Sequence, residues 1–560
     1  MPIGVLCCSG LAFRAASFRG ALAILAVGGL AAAAGCGKST SSQPRASLDG
    51  GASAAGAAGD ATTLAGGASN AAGGGGAPSG GVPAAADGGA PSAAGAAGQP
   101  AAGEAGEPPV SLPTLVLRSV TISQTHELPL MKAGLGVASA ARPVPLVAGK
   151  RALVRAFVDL DPAFVVRPLL GVLDLKTPDL TRTLLSKITL GQSSLQDDLT
   201  TTFVFDVDAR DLTTASSYRV RVLEEDTTPL ATFPDAGYLG LEAQPMQPLQ
   251  LVLVPFIANG FGPLVGDDEV AALRRRLLAL YPSTEIEVTT APPVTLGYVV
   301  NAAGDGWDNA LDEIYQERST AAPARNVFYF GMLAPDSSYL DYCASDCILG
   351  LSNIADAGDV DSRGAIGVTV FQDGSGAKVA WDTVAHELGH ALGRDHAPCG
   401  LDDPDPNYPY PAAGMGGIYG FDFDLMKLIK PKQYRDVMGY CTPVWISDYT
   451  YRGIFERLDL IGQEAFRTLS LAPGEPFRLA RIRRSGQSLW LGERQRHGSA
   501  TSVSVDLLDG AGQRVASAMA QVVRLDHAPG GYVWLPARAL GQSGAASVDL
   551  RPLGGSVLPL

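Results

Sequence analysis

Between Leu112 and Pro245, apolar and polar positions alternate along the chain. Ala152, Val154, Ala156 and Val158 interleave with Leu153, Arg155, Phe157 and Asp159. Phe203, Phe205 and Val207 interleave with Val204, Asp206 and Asp208, and Tyr218, Val220 and Val222 with Arg219 and Arg221. Period two with turn residues between predicts a small antiparallel β-sandwich over residues 112–245. From Leu249 the pattern changes. An apolar strand at Leu249–Val254 precedes a helix capped by Asp267 or Asp268, with Val270, Leu273, Leu277 and Leu280 on one face. Strands at Glu285–Val288, Asn326–Gly331 and Gly364–Phe371, with a helix around Trp307–Gln316, complete an α/β alternation. That alternation predicts a mixed sheet with helices packed on it over residues 246–463. Asp448 can cap a final helix that buries Tyr451, Phe455 and Leu458. Strand patterning returns over 464–560, at Val503, Val505 and Leu507 before Asp509-Gly510 and at Tyr532-Val533-Trp534, predicting a C-terminal β-sandwich-like domain.

Chemistry concentrates in one place. The chain holds 6 histidines, and three of them lie in His386-Glu-Leu-Gly-His390-Ala-Leu-Gly-Arg-Asp-His396. His386 and His390 are four apart, which stacks them on one helix face and lets both imidazoles bind one zinc ion. Gly393 can end the helix in the left-handed conformation that a β-carbon resists, so the chain can return His396 as a third ligand. Glu387 then reaches the attacking water as a general base. Asp382 and Thr383 are candidate caps for this helix, with Asp373-Gly374-Ser375-Gly376 turning into it.

The spacing H-E-x-x-H-x-x-G-x-x-H resembles the zinc signature of the metzincin metalloproteases, which carry a methionine turn downstream. Asp436-Val437-Met438-Gly439-Tyr440 is the matching segment. The resemblance implies that Met438 forms a hydrophobic floor beneath the three histidines. It also implies that Tyr440, two residues on, ligates zinc or steadies the oxyanion, as in the astacin and serralysin branches. It covers roughly residues 246–463, with its specific part at 381–451, and implies a metzincin-like core. It further implies that the strand before the zinc helix, Gly367–Val370, is an antiparallel edge that pairs with extended substrate.

The ends and the cysteines add context. Arg14 and Arg19 precede an apolar run from Gly20 to Gly35 and then Cys36, the layout of an export signal over 1–36. Ala33-Ala34-Gly35-Cys36 resembles a bacterial lipobox, which implies lipidation of Cys36, although a leucine is expected where Ala33 stands. An ordinary signal peptide cut nearby and a membrane anchor are the other readings, and the run is shorter than a spanning helix needs. Residues 37–111 are dominated by Ala, Gly, Ser and Pro and read as a disordered tether. Cys343, Cys347, Cys399 and Cys441 remain in the body. An even count in an exported chain favours two disulfides, with Cys343–Cys347 and Cys399–Cys441 the preferred pairing; a thiolate zinc site and free thiols are the alternatives. Asp402, Asp403, Asp405 and Asn407 suit either calcium or a solvated loop. His497 and His527 are isolated and read as surface residues. A formal net charge of -14 disfavours nucleic acid and anionic lipid surfaces.

The expectation is a multidomain exported protein, at the cell envelope or secreted. It would hydrolyse peptide bonds with one catalytic zinc and touch membrane only through a lipid. Two other readings stand beside it: a zinc hydrolase of non-protein substrates, and a surface lipoprotein whose β-domains bind a partner around a structural or vestigial zinc. A complete ligand set beside Glu387 argues against the last, because a structural site needs no base.

Overall fold

The computed structural model describes residues 115–224, 229–401, 404–466, 476–496, 500–526 and 530–560. The segments 1–36 and 37–111 with Cys36, the acidic pair Asp402 and Asp403, and both His497 and His527 lie outside them. Among the described residues no helix is long and apolar enough to cross a membrane.

The alternating stretches form two antiparallel sheets. One runs Leu135–Gly136, Glu127–Lys132, Leu115–Ser123, Ala152–Leu160, Phe203–Val207. The other runs Leu239–Gly240, Ser217–Leu223, Arg167–Lys176, Thr181–Leu190, with Ala231–Phe233 added to Ser217–Leu223. Val154, Ala156 and Val158 from the first sheet share one apolar core with Leu173, Val220 and Val222 from the second. Arg155 points the other way yet is also buried, its charge met by Glu127 at 3.0 Å and its guanidinium stacked on Phe157. Such a pair is tolerated because both partners are satisfied; removing either would strand a buried charge.

The turn after the first strand grips the next unit. Thr125 donates from Oγ1 to the Ala279 carbonyl at 2.9 Å, and Trp445 donates its ring N–H to the Thr125 carbonyl at 3.3 Å. His126 donates its Nε2–H to the Ile446 carbonyl at 2.9 Å, edge-on to the Tyr451 ring. Full burial lowers the His126 pKa from 6.5 to about 4, with the nearby Lys150 charge adding to the effect. Above the unfolded value both states are neutral and nothing is lost. As pH falls from 6.5 to 4, the unfolded chain takes up a proton that the folded chain refuses, so stability drops. At about 1.4 kcal/mol per unit, the loss by pH 4 is roughly 3 kcal/mol. The stability difference between wild type and His126→Gln should therefore shift by about that amount between pH 7 and pH 4. Denaturant melts at both values test it, and a pH-independent difference would remove the claim.

The mixed sheet runs Ile286–Thr290, Leu249–Ile257, Val327–Leu333, Gly364–Val368, Gly350–Ile354; all neighbours are parallel except the last pair. Both faces are covered, which is why its strands read as nearly continuous apolar runs. Phe328, Phe330 and Ala365 share a core with Leu273 and Leu277 of the helix Asp267–Leu280 and with Val384 and Leu388 of the helix Ala377–Ala391. Tyr329 and Ile366 face the opposite way, onto Trp307, Leu311 and Ile314 of the helix Trp307–Ala321. The helix Asp448–Phe466 closes the unit, burying Tyr451 and Leu458.

Two expectations need correction. Gly364–Val368 is not an edge: it pairs with Val327–Leu333 on one side and with Gly350–Ile354 on the other. The antiparallel strand is Gly350–Ile354, whose Gly-Leu-Ser-Asn-Ile carries too little alternation to be seen in the sequence. The strands after 464 are also not a sandwich standing apart. Arg514–Leu525 pairs with Gly350–Ile354, setting Asn353 against Leu525 and Ile354 against Arg524, so one 13-stranded sheet crosses the expected boundary. Its far end rolls until the outer strands meet. Ser488 donates its N–H to the Ser556 hydroxyl at 3.0 Å, and Trp490 donates its ring N–H to the Pro559 carbonyl at 2.6 Å.

Candidate metal centre

The helix that carries the motif begins at Ala377, well before the expected caps, after Gly374 and Gly376 turn the chain with φ of +79° and +80°. Asp382 lies inside it, and its carboxylate takes the Arg276 guanidinium at 2.6 Å instead of a helix N–H. The helix ends as the sequence led one to expect. Gly393 sits at φ +78° and donates its N–H to the His390 carbonyl at 2.7 Å, while Arg394 donates to the Gly389 carbonyl at 2.9 Å. This paired closure is a Schellman motif, and a β-carbon at Gly393 would also run into the Arg457 guanidinium. The reversal carries His396 back toward the helix.

His386, His390 and His396 are all buried, and their Nε2 atoms converge. His390 Nε2 lies 3.0 Å from that of His386 and 3.1 Å from that of His396. His386 Nδ1 is 2.7 Å from the Val437 carbonyl, and His390 Nδ1 is 2.7 Å from the Arg394 carbonyl. Carbonyls only accept, so each Nδ1 carries the proton and each neutral ring turns an Nε2 lone pair inward. Lone pairs at this spacing repel unless a cation lies between them. A tetrahedral ion with zinc–nitrogen bonds of 2.0–2.1 Å separates its ligands by about 3.3–3.4 Å, close to what is found. The donor set fits a metal ion.

Met438 is fully buried against the helix at Gly389, where a β-carbon would strike its sulphur. The turn is held by Asp436, a role that spacing alone did not reveal. Its fully buried carboxylate accepts the Met438 N–H at 2.8 Å and the Ser447 N–H at 2.7 Å. Met438 and Tyr440 are further tied to the loop after His396. Ala397 donates to the Met438 carbonyl and Tyr440 to the Cys399 carbonyl, both at 2.9 Å. The disulfide Cys399–Cys441 closes the same junction, and Cys343–Cys347 closes the loop before Gly350–Ile354.

Glu387 is buried against Gly350, where any side chain would overlap its carboxylate. Burial pushes its pKa up to about 8, and a hydrogen bond with the Asp526 carboxyl offsets part of that rise. Tyr440 stands at the mouth, 49% exposed, with its ring 5.5 Å from that of His396 and 5.9 Å from that of His386. Burial of its hydroxyl, and the carboxyls of Glu387 and Asp526 nearby, raise its pKa, so it stays a donor at neutral pH. Of the acidic stretch, Asp405 is tied locally. Its two oxygens accept the Asn407 N–H at 2.8 Å and the Tyr449 hydroxyl at 2.7 Å. A cavity of about 450 Å³ lies apart from this site, lined by Tyr315, Arg318, Asp361, Tyr532 and Trp534, and contains no histidine.

Residues 362–441 match the family model Peptidase M66. The matched stretch contains all three histidines, Glu387, Met438 and Tyr440, and it supports a metallopeptidase, a hydrolase of protein or peptide substrates. No curated protein matches the chain. Among solved structures, a calcium-binding mutant of Bacteroides uniformis beta-glucuronidase 2 aligns over 41% of this chain and 30% of its own. Its identity is 12% and its TM-score 0.14, too low to bear on fold or function.

Proposed function

We propose that the protein is a zinc endopeptidase of metzincin type, working outside the cytoplasm. The observation that carries the reading is the convergence of three buried Nε2 lone pairs beside a buried glutamate that belongs to the same helix. A zinc ion held by His386, His390 and His396 would polarise the scissile carbonyl and lower the pKa of a water to about 7. Glu387 accepts the proton of the attacking water and returns it to the leaving amine. Tyr440, at the mouth, donates to the oxyanion of the tetrahedral intermediate. His386 and His390 keep their orientation through the Val437 and Arg394 carbonyls, so the rings need no rearrangement during turnover. The Peptidase M66 match favours peptide bonds over other hydrolysable groups.

Casein cleavage by the purified chain should stop when metal is stripped by a chelator and return with stoichiometric zinc. Cleavage that persists after complete metal depletion would end this reading. Export is part of the proposal and rests on sequence: the Arg14 and Arg19 flank, the apolar run and Ala-Gly-Cys36. Diacylated Cys36 would then be the mature N-terminus, which the mass of the native N-terminal peptide decides.

A further inference from the structure

Asp526 lies far along the chain from the histidines, at the end of the strand Arg514–Leu525, yet its side chain is buried against the metal centre. Oδ2 lies 3.5 Å from His390 Nε2 and 3.1 Å from the Ser352 N–H, which donates to it. The Asp526 N–H donates in turn to the Ser352 carbonyl at 3.1 Å. One oxygen therefore sits between the strand Gly350–Ile354 and a metal-binding ring. Glu387, His390 and Asp526 bring ligand atoms within 4.8 Å of one another. The backbone on either side is fixed by the rungs Asn353–Leu525 and Ile354–Arg524. Arg524 also reaches Asp395, in the loop that returns His396, at 3.6 Å.

We infer that Asp526 is a positioning residue of the metal centre: held by the C-terminal sheet, its carboxyl group fixes the direction of the Glu387 carboxyl group beside His390. The inference rests on the zinc peptidase reading and deepens it. Glu387 and Asp526 share a hydrogen bond, so the two carboxyls hold a proton between them and face each other directly. Glu387 is confined by Gly350 on one side and by its hydrogen bond with Asp526 on the other, which leaves its carboxyl group little freedom to turn. The strand that delivers Asp526 is an integral member of the sheet, so the residue is a standing part of the site and not a lid.

The test uses the full chain with Asp526→Ala and Asp526→Asn. Zinc affinity is measured by competition with a chromophoric chelator, the cobalt(II)-loaded proteins give ligand-field spectra, and kcat and KM are taken on one peptide. Replacing a residue that orients the groups of a metal site typically costs 10–100-fold in metal affinity or activity. Asp526→Ala should weaken zinc binding by about that factor and lower kcat by a similar one, with KM changed less than about threefold. Asparagine keeps the shape, still accepts from Ser352 and can donate to Glu387. It should recover much of both kcat and zinc affinity, because the hydrogen bonds to Ser352 and Glu387 return. Zinc affinity and a cobalt spectrum identical to wild type in Asp526→Ala would overturn the inference, as would a kcat in Asp526→Asn no better than in Asp526→Ala. Weakened zinc binding in proteins that cleave no peptide would sink the peptidase reading and leave the placement of Asp526 standing.

Discussion

Glu387→Ala should keep one zinc per chain and lose about 10²–10⁴-fold in kcat, the range general acid–base catalysis usually supplies. Glu387 is not among the three converging imidazoles, so removing it leaves the lone pairs in place. His390→Ala should behave differently. His390 is the central member of the triad, within 3.1 Å of both partners, and two remaining rings cannot complete the site. That variant should lose the metal and the activity together. Tyr440→Phe should retain metal and lose about 10²–10³-fold, as expected for one oxyanion donor. Metal content by atomic emission beside peptidase rate separates the three. Wild-type turnover in Glu387→Ala would show that the reaction does not pass through this glutamate.

Removing the Cys399–Cys441 bond should destabilise the protein more than removing Cys343–Cys347. The first spans a sequence separation of 42 and the second a separation of 4. Chain-entropy reasoning assigns about 4 kcal/mol to the longer loop and about 2 kcal/mol to the shorter. Against a net stability of about 5–15 kcal/mol, the larger figure is a substantial share. The longer loop also carries function, since Cys399 and Cys441 bracket the hydrogen bonds that tie Met438 and Tyr440 to the chain after His396. Cys399→Ala with Cys441→Ala should therefore lower Tm and kcat together, whereas Cys343→Ala with Cys347→Ala should lower Tm less. Equal losses in both pairs would contradict the loop argument.

What the sequence disclosed follows from what is local. Three histidines and a glutamate within eleven residues declare their geometry through helix spacing, and Gly393 declares the turn because no other residue rests easily at φ +78°. The helices from Asp267 and Trp307 were visible for the same reason, each having an apolar face of helical period. The start of the helix that carries the motif was misplaced because Asp382 looks like a cap while its carboxylate serves a partner helix through Arg276. Gly350–Ile354 was hidden because its glycine, serine and asparagine carry no strand pattern; Gly350 is there to leave room for Glu387. Asp526 was invisible for a deeper reason. The one metal-ligating residue type beside it, His527, has no partner at a ligand spacing, and the role of Asp526 is set by a rung between strands far apart in the chain. Long-range pairing of that kind leaves no periodic trace.

The rung between Gly350–Ile354 and Arg514–Leu525 also bears on how much of this chain can be removed. A fragment ending at residue 463 would contain every residue of the motif and look complete on paper. It would also present a bare β-edge beside the metal, with the N–H and C=O of Ser352 stripped of their partners. Exposed edges of this kind recruit other chains, so such a fragment invites aggregation. The smallest soluble piece of this molecule is therefore set by where its sheet closes, and that point lies at the rolled strands near the C-terminus.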